Sequence, residues 1–444
     1  MPKSVKFLCC LLLVTGITLC AKGEKMSIGE YESLTYRLYT EQKWDSLLLV
    51  GERAISEGHD YFYMRARVGI AAFELQKYIR ASIHFEAALD FNSNDKFVSG
   101  VLYHAYMYSG RVDEARIFLS TLPPSLAKSI STAPGKPMIY LETGPAFSDN
   151  VKQFETSRQT GSGLYSEAYL NKNSYYFLAG TVLPVGYKFS VNAAFAKLNF
   201  NKNRRVDIRY IDSLSGDYAV SQMEAYLSPS FLRGNGKFRI SPAFRLSNVS
   251  LENPLSSDDS IVQKMIGSPG TTSYNDIGFG GEISYLAPFW VTTVGLWSLR
   301  VDDSKYTQAG ASFFVRPLGN LNLYTNTALT LKISQGTKQY IFNQLVGGKL
   351  FGKVWGEAFL TIGDISCTGE NNLQVFYNAF DKVKSRFGTR LILNVNDHLK
   401  FSLRGQVFIR EGTELFFTET GKAGIYSYNY QTLSITGGMS WNLQ

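Results

Sequence analysis

Cysteine is scarce in this chain. Four occur in 444 residues, and Cys9, Cys10 and Cys20 all fall within the first twenty. Only Cys367 remains beyond them, which excludes an internal disulfide framework and a cysteine-based metal site. Histidine is equally rare, at four. His59, His84 and His104 lie in a stretch of helical pattern without Glu-x-x-His spacing, and read as packing or surface residues. His398 is the only histidine after residue 104 and sits in a turn-like segment. A hydrolase or acyltransferase that needs a histidine base, or a His/Asp metal centre, therefore lacks its central group. The expectation is a non-enzymatic protein with no cofactor. Charged residues make up only 18%, and the net charge of +8 comes from singly scattered Lys and Arg. That argues against nucleic acid as a partner. No apolar run of 18 residues follows the first twenty-five, so membrane-spanning helices are excluded.

The beginning of the chain is patterned. "MPKSVKFLCCLLLVTGITLCAKGEK" places Lys3 and Lys6 before an apolar core from Phe7 to Leu19, with Ala21 and Gly23 behind it. This is the pattern of a secretory signal peptide, assigned to residues 1–23. Cys20 leaves open an acylated lipoprotein form, although Leu19 stands where such signals have a small residue.

Residues 24–122 carry a period of 34. "GIAAFELQKYIRASIHFEAALDFNSND" holds Gly69, Tyr78, Ala81, Phe85 and Ala88. Thirty-four residues earlier stand Trp44, Leu47 and Ala54, and thirty-four later Val112, Ala115 and Leu122, with Gly110 at the turn in "YSGRVDEA". Small residues at these places let paired helices approach, and aromatics fill the gaps. The pattern resembles three tetratricopeptide repeats. Such repeats imply either a docking surface or a short helical cap on a larger domain. Pro123-Pro124 stops the last helix, and 123–137 reads as a linker.

From Met138 to Gln444 the periodicity changes to two. "LNLYTNTALTLKIS", "LKFSLRGQVFIR" and "KFRISPAFRLS" each set an apolar face against a polar one. The runs span roughly 11 to 16 residues, beyond the ~5–6 of an average strand and enough for the ~9–11 of a tilted membrane crossing. With every backbone group needing a partner in lipid, the expected fold is a closed antiparallel β-barrel behind a helical repeat domain. The whole is a multidomain α + β chain. Short turns alternate with longer polar stretches, and treating 148–173 and 365–385 as outer excursions gives about 14 strands, within a range of 12–18. Both barrel ends, the helical domain and His398 then lie on the periplasmic side. Gly278, Gly280 and Gly281 in "DIGFGGEIS" sit on a strand with no following helix, so they form no phosphate loop and are expected to ease strand curvature.

The polar face of a barrel points inward. Alternation assigns the lumen Lys188, Arg239, Arg245, Arg316, Lys332, Arg390, Lys400, Arg404 and Arg410, with Glu224, Asp276, Glu282 and Glu357. Nine bases against four acids suit an anion-attracting lumen if water fills it. The alternative is a plugged lumen where Arg–carboxylate networks use up these charges. Arg239 with Arg245, and Arg404 with Arg410, form rows of about 20 Å at ~3.4 Å per residue.

"VFYNAFDKVKSRFGTRL" and "SFLRGNGKFRISPAFRLS" resemble the YaiO-like barrel family, and the chain as a whole is similar to Bacteroidetes-type outer-membrane barrels with N-terminal tetratricopeptide repeats. That resemblance implies an outer-membrane location with the repeats in the periplasm. It implies no established reaction. The barrel is expected to contact outer-membrane lipid, the repeats a periplasmic protein or envelope partner, and the basic lumen is a candidate passage for anionic solutes or saccharides. An envelope scaffold anchored by its barrel is the alternative. Exopolysaccharide secretion porins resemble the chain more distantly, and carry far more repeats. In "TLSITGGMSWNLQ", Thr436, Gly438, Trp441 and Leu443 resemble the signal that barrel proteins present to the barrel assembly machinery. The departure is Gln444 after the apolar residue.

Overall fold

The computed structural model describes residues 26–131, 137–157, 163–209, 212–378, 381–418 and 422–443. The expected leader, with Cys20, and most of the expected linker lie outside them, as does Gln444.

Six helices come first: α1 (Ile28–Thr40), α2 (Trp44–Ser56), α3 (Phe62–Glu74), α4 (Tyr78–Phe91), α5 (Lys96–Tyr108) and α6 (Val112–Thr121). The first of each pair starts at 28, 62 and 96, the second at 44, 78 and 112, so both series advance by the same number of residues. The turn within each pair holds one left-handed residue at that same interval, Gln42, Gln76 and Gly110, the usual way to stop a helix and reverse the chain. Helix starts are locally encoded. Ser27 and Glu30 form a capping box, and the Asp95 carboxylate accepts from Val98 N at 2.9 Å. Leu47, Ala54, Ala81, Phe85, Ala88 and Ala115 are buried in one continuous core, with Trp44 packed against it. A side chain at Gly69 would run into the Phe85 ring, which explains how closely α3 lies on α4. The expected linker contains a further helix, α7 (Pro124–Ile130). Pro124 opens it at the first helical position, where its missing N–H costs nothing, and Leu126 and Ala127 are buried. No described helix is long and apolar enough to cross a membrane.

The rest forms a closed antiparallel barrel of fourteen strands. The chain order is β1 (Met138–Ser148), α8 (Asn150–Ser157), β2 (Gly163–Val185), β3 (Phe189–Ile208), β4 (Asp212–Arg233), β5 (Phe238–Asn253), α9 (Ser260–Ile266), β6 (Gly270–Leu286), β7 (Trp290–Val301), β8 (Ser304–Val315), β9 (Leu323–Ser334), β10 (Thr337–Phe351) and β11 (Val354–Ile362). Then come β12 (Thr368–Glu370), β13 (Val375–Tyr377), β14 (Lys382–Asn394), β15 (Leu399–Thr418) and β16 (Ala423–Asn442). β12 and β13 pair only with each other and stand apart from the wall. β16 closes the barrel on β1, with Trp441 opposite Ile139 and Met439 opposite Leu141.

Alternation follows the sequence. Along β5, Phe238, Ile240, Phe244 and Leu246 are exposed on the outside while Ser241, Ala243, Arg245 and Ser247 are buried within. The outward apolar side chains form the band that a lipid-embedded barrel needs.

Of the polar stretches 201–217 and 411–427, residues 201–208, 212–217, 411–418 and 423–427 are strand rather than loop. Strands β2, β3, β4, β15 and β16 run to 20–23 residues, about twice the ~9–11 of a bilayer crossing. Backbone pairing between neighbours decides the matter there, and it tolerates polar side chains on both faces. Beyond the end of β14, Glu414–Thr418 of β15 pair with β2 residues 163–168, three positions round the wall. That pairing draws the far rim together. The excursion 148–173 likewise divides into α8 and the start of β2.

The helices dock on the opposite, near rim through four of its short turns. Ile79 N donates to Gly319 O at 3.0 Å, and Asn320 Nδ2 to Gln76 O at 2.9 Å. Arg116 Nη2 donates to Gly186 O and Phe189 O, each at 2.9 Å. Ile117 packs with Leu232 and Leu286.

Candidate functional site

The segment between β11 and β14 folds into the barrel and carries the β12–β13 hairpin. Its tip, Asn371-Asn372-Leu373, is left-handed at all three residues. Asparagine tolerates this conformation; leucine does so at a cost of about 1–2 kcal/mol. Burial holds Leu373 there: its side chain is fully enclosed among Trp297, Leu299, Val301, Phe376 and Tyr226. Gly278 makes room, since a Cβ there would stand 3.3 Å from Leu373 Cδ1 and 2.9 Å from Leu299 Cδ2. This packing role is one the sequence did not indicate for that glycine.

Polar contacts fix the hairpin to walls on both sides. Gln308 exchanges two hydrogen bonds with Gly369, at 2.7 and 3.0 Å, as a neighbouring strand would. Trp297 Nε1 donates to Asn372 Oδ1 at 2.9 Å, and Asn372 Nδ2 donates to Ser241 O at 2.9 Å. That last contact serves a weak place in the wall. Pro229 and Pro242 face each other there, and the β4–β5 ladder lacks the pairs between Leu227–Phe244 and Phe231–Ile240. Gln374 Nε2 reaches Tyr140 on β1 at 2.8 Å.

The sequence-assigned luminal charges divide into groups. Arg245 is buried, pairs with Glu224 and donates to the carbonyls of Leu373 and Gln374. Lys332 Nζ bonds Asp364 at 2.9 Å and Ser366 O at 2.8 Å. Arg386, which alternation did not single out, forks onto Glu370 at 2.9 and 3.0 Å. Asp276 accepts from Asn378 Nδ2 at 2.8 Å and Asp302 N at 2.9 Å. These groups hold the hairpin and belong to the plugged arrangement. At the near rim, Arg316 donates to Ser109 O at 3.0 Å, Arg239 meets Asp113 at 3.2 Å, and Lys188 is exposed in a turn. Lys400 is also exposed. The Arg239–Arg245 row is thus divided between the helix junction and the hairpin.

The hairpin leans on β4–β8 and leaves a cavity of about 620 Å³ within the lumen. Arg245, Arg386, Arg390, Arg404 and Arg410 line it with Glu142, Glu224, Glu282, Glu357 and Glu370, among neutral polar side chains and apolar ones such as Phe200, Phe359 and Phe408. Arg390 and Arg404 stand directly opposite one another on β14 and β15. Glu142 lies 3.3 Å from Arg404 and 3.9 Å from Arg390, and Glu357 lies 4.0 Å from Arg390. Among the described residues no group of His, Cys, Asp and Glu is arranged to hold a metal ion. Cys367 is buried beside the hairpin.

Closed wall, apolar exterior and polar interior define the class: a transmembrane-type β-barrel with an inward plug and a helical cap on one rim. No protein-family model matches the chain, and no curated protein matches it. Solved structures similar to it include a Pseudomonas aeruginosa FadL homologue, at 8% identity over 75% of this chain and 93% of that one, TM-score 0.44. The Pseudomonas putida toluene transporter TodX matches at 9% identity over 71% and 91%, TM-score 0.42. A bacterial polysaccharide outer membrane secretin matches at 10% identity over 69% and 98%, TM-score 0.33.

Proposed function

We propose that this protein is an outer-membrane barrel whose lumen admits small anionic solutes or saccharides past a fixed hairpin, with its helical repeats in the periplasm. The observation that carries the reading is the cavity of about 620 Å³ left beside the hairpin, lined by charged, polar and apolar side chains inside an apolar-faced barrel. The repeats, on this reading, are tetratricopeptide-like and dock an envelope protein. Planar-bilayer recording tests the passage: purified protein should give discrete currents with anions favoured over cations. An absence of current, with folded protein in the bilayer, would leave the barrel as an anchor. Cell fractionation tests the location, and recovery of the folded protein in the soluble periplasm would overturn it.

The scaffold reading has its own support in the hairpin, which contacts walls on both sides of the barrel, and in the docked helices. Under either reading Thr436, Gly438, Trp441 and Leu443 form the strand end offered to the assembly machinery. Trp441 is exposed on the outer face and Leu443 N donates to Pro137 O at 2.8 Å. Trp441→Ala should lower the yield of heat-modifiable barrel in cells several-fold; an unchanged yield would remove that role.

A further inference from the structure

The luminal cations are not equivalent. The side chains of Arg245, Lys332 and Arg386 are 3%, 4% and 12% exposed, and each has a carboxylate and further oxygen acceptors in close contact. Arg390 and Arg404 are built differently. They face each other across adjacent strands, an arrangement of like charges that costs stability and that barrel closure does not require.

Their acceptors are few and distant. Glu142 is shared between them at 3.3 and 3.9 Å. Glu357, at 4.0 Å from Arg390, already accepts the Tyr324 hydroxyl at 2.7 Å. Arg390 Nη2 reaches Ser402 Oγ only at 3.3 Å. Arg390 Nε is buried with no hydrogen-bond partner, as are those of Arg245, Arg386 and Arg410, so the difference lies in the Nη groups. Each guanidinium carries five N–H donors in a planar fork, so most of this capacity is unmatched, and both side chains line the cavity.

We propose that Arg390 and Arg404 form the binding site for the carboxylate of an acidic saccharide, with Glu142 the resident carboxylate that the incoming one displaces. The proposal rests on the reading of the lumen as a solute passage. Two opposed forks suit a planar acceptor better than a point charge, and the group already lodged between them is a carboxylate. The hydroxyl-bearing remainder has its own partners, because Asn343, Gln406 and Ser434 line the same cavity. Its volume falls within the ~300–1,000 Å³ typical of small-molecule sites.

Calorimetric titration of the full-length protein in detergent tests this, using digalacturonate, maltose as a neutral disaccharide and acetate as the carboxylate alone. Digalacturonate should bind at least about tenfold more tightly than either control. Arg404→Gln and Arg390→Gln should each weaken it about ten- to a hundredfold, the scale of a lost charge-assisted hydrogen bond. Arg404→Lys should also weaken it, since it keeps the charge and loses the fork. Glu142→Gln should tighten it. Equal binding of maltose, equal binding of acetate, or no effect of Arg404→Gln in protein that keeps its heat-modifiable mobility would overturn the proposal. Because the ligand comparison uses unmodified protein, a misfolded variant does not decide the matter. Ion conduction without digalacturonate binding sinks this site alone. Binding without conduction supports the site and sinks the passage.

Discussion

At the scale of single residues, the helical domain is governed by close approach and by burial of charge. Gly69 lies under the Phe85 ring. Gly69→Ala gains about 1 kcal/mol of helix preference but overpacks the contact, at about 1–3 kcal/mol. A net loss is expected, and hydrogen exchange should show lower protection in α3 and α4. His84 is enclosed between Glu52, at 3.3 Å from Nε2, and Arg65, at 3.3 Å from Nδ1. Burial lowers its pKa; the Glu52 carboxylate opposes that, while Arg65 and Arg80 add to it. A histidine with a depressed folded pKa binds fewer protons folded than unfolded. Its contribution is therefore steady above the unfolded value of about 6.5 and is lost as pH falls below it. Glu86, raised by burial, acts in the opposite sense, so its contribution is lost as pH rises through its folded value. Comparing wild type with His84→Asn isolates the histidine: protection of α3 and α4 should fall less between pH 7 and pH 5.5 in the variant.

At the scale of elements, the hairpin is a brace. Arg386 and Glu370 are 12% and 19% exposed, and breaking a buried pair costs about 3–5 kcal/mol, with the low end apt here. On the proposed reading of the lumen as a passage, Arg386→Gln should loosen the hairpin and raise single-channel conductance and current noise; unchanged noise would show that the remaining contacts hold it alone. The sequence displayed the elements well because their periods are local. Thirty-four-residue spacing marked the helices, side-chain alternation marked the wall, and the alternating lengths of its connections gave the fourteen strands. The destination of 363–378, expected from sequence as part of an outer excursion over 365–385, was not legible, because its inward fold is set by Trp297, Gln308 and Arg245, which lie far away in the chain. The site was half legible for the same reason. Alternation put Arg390 and Arg404 inside, but only register shows them opposed, and Glu142 on β1 reaches them through closure by β16.

At the scale of the whole molecule, the two parts are joined by contacts as well as by the chain. Ile117 sits at the junction with Leu232 and Leu286. Ile117→Asp should bury an unpaired charge there and undock the helices. Small-angle scattering in detergent should report a larger radius of gyration, while the barrel keeps its heat-modifiable mobility. An unchanged radius would mean that the turn hydrogen bonds from Arg116 and Asn320 suffice.

The hairpin also has a place in time. Tyr140, Arg245, Gly278, Trp297, Gln308 and Lys332, which receive it, all precede it in the chain, while Val383, Arg386 and Phe408 follow. An open sheet of β1–β11 therefore already contains the cradle for Leu373. The last three strands then bend round an object in place, so the hairpin can act as the former on which the final curvature is cast.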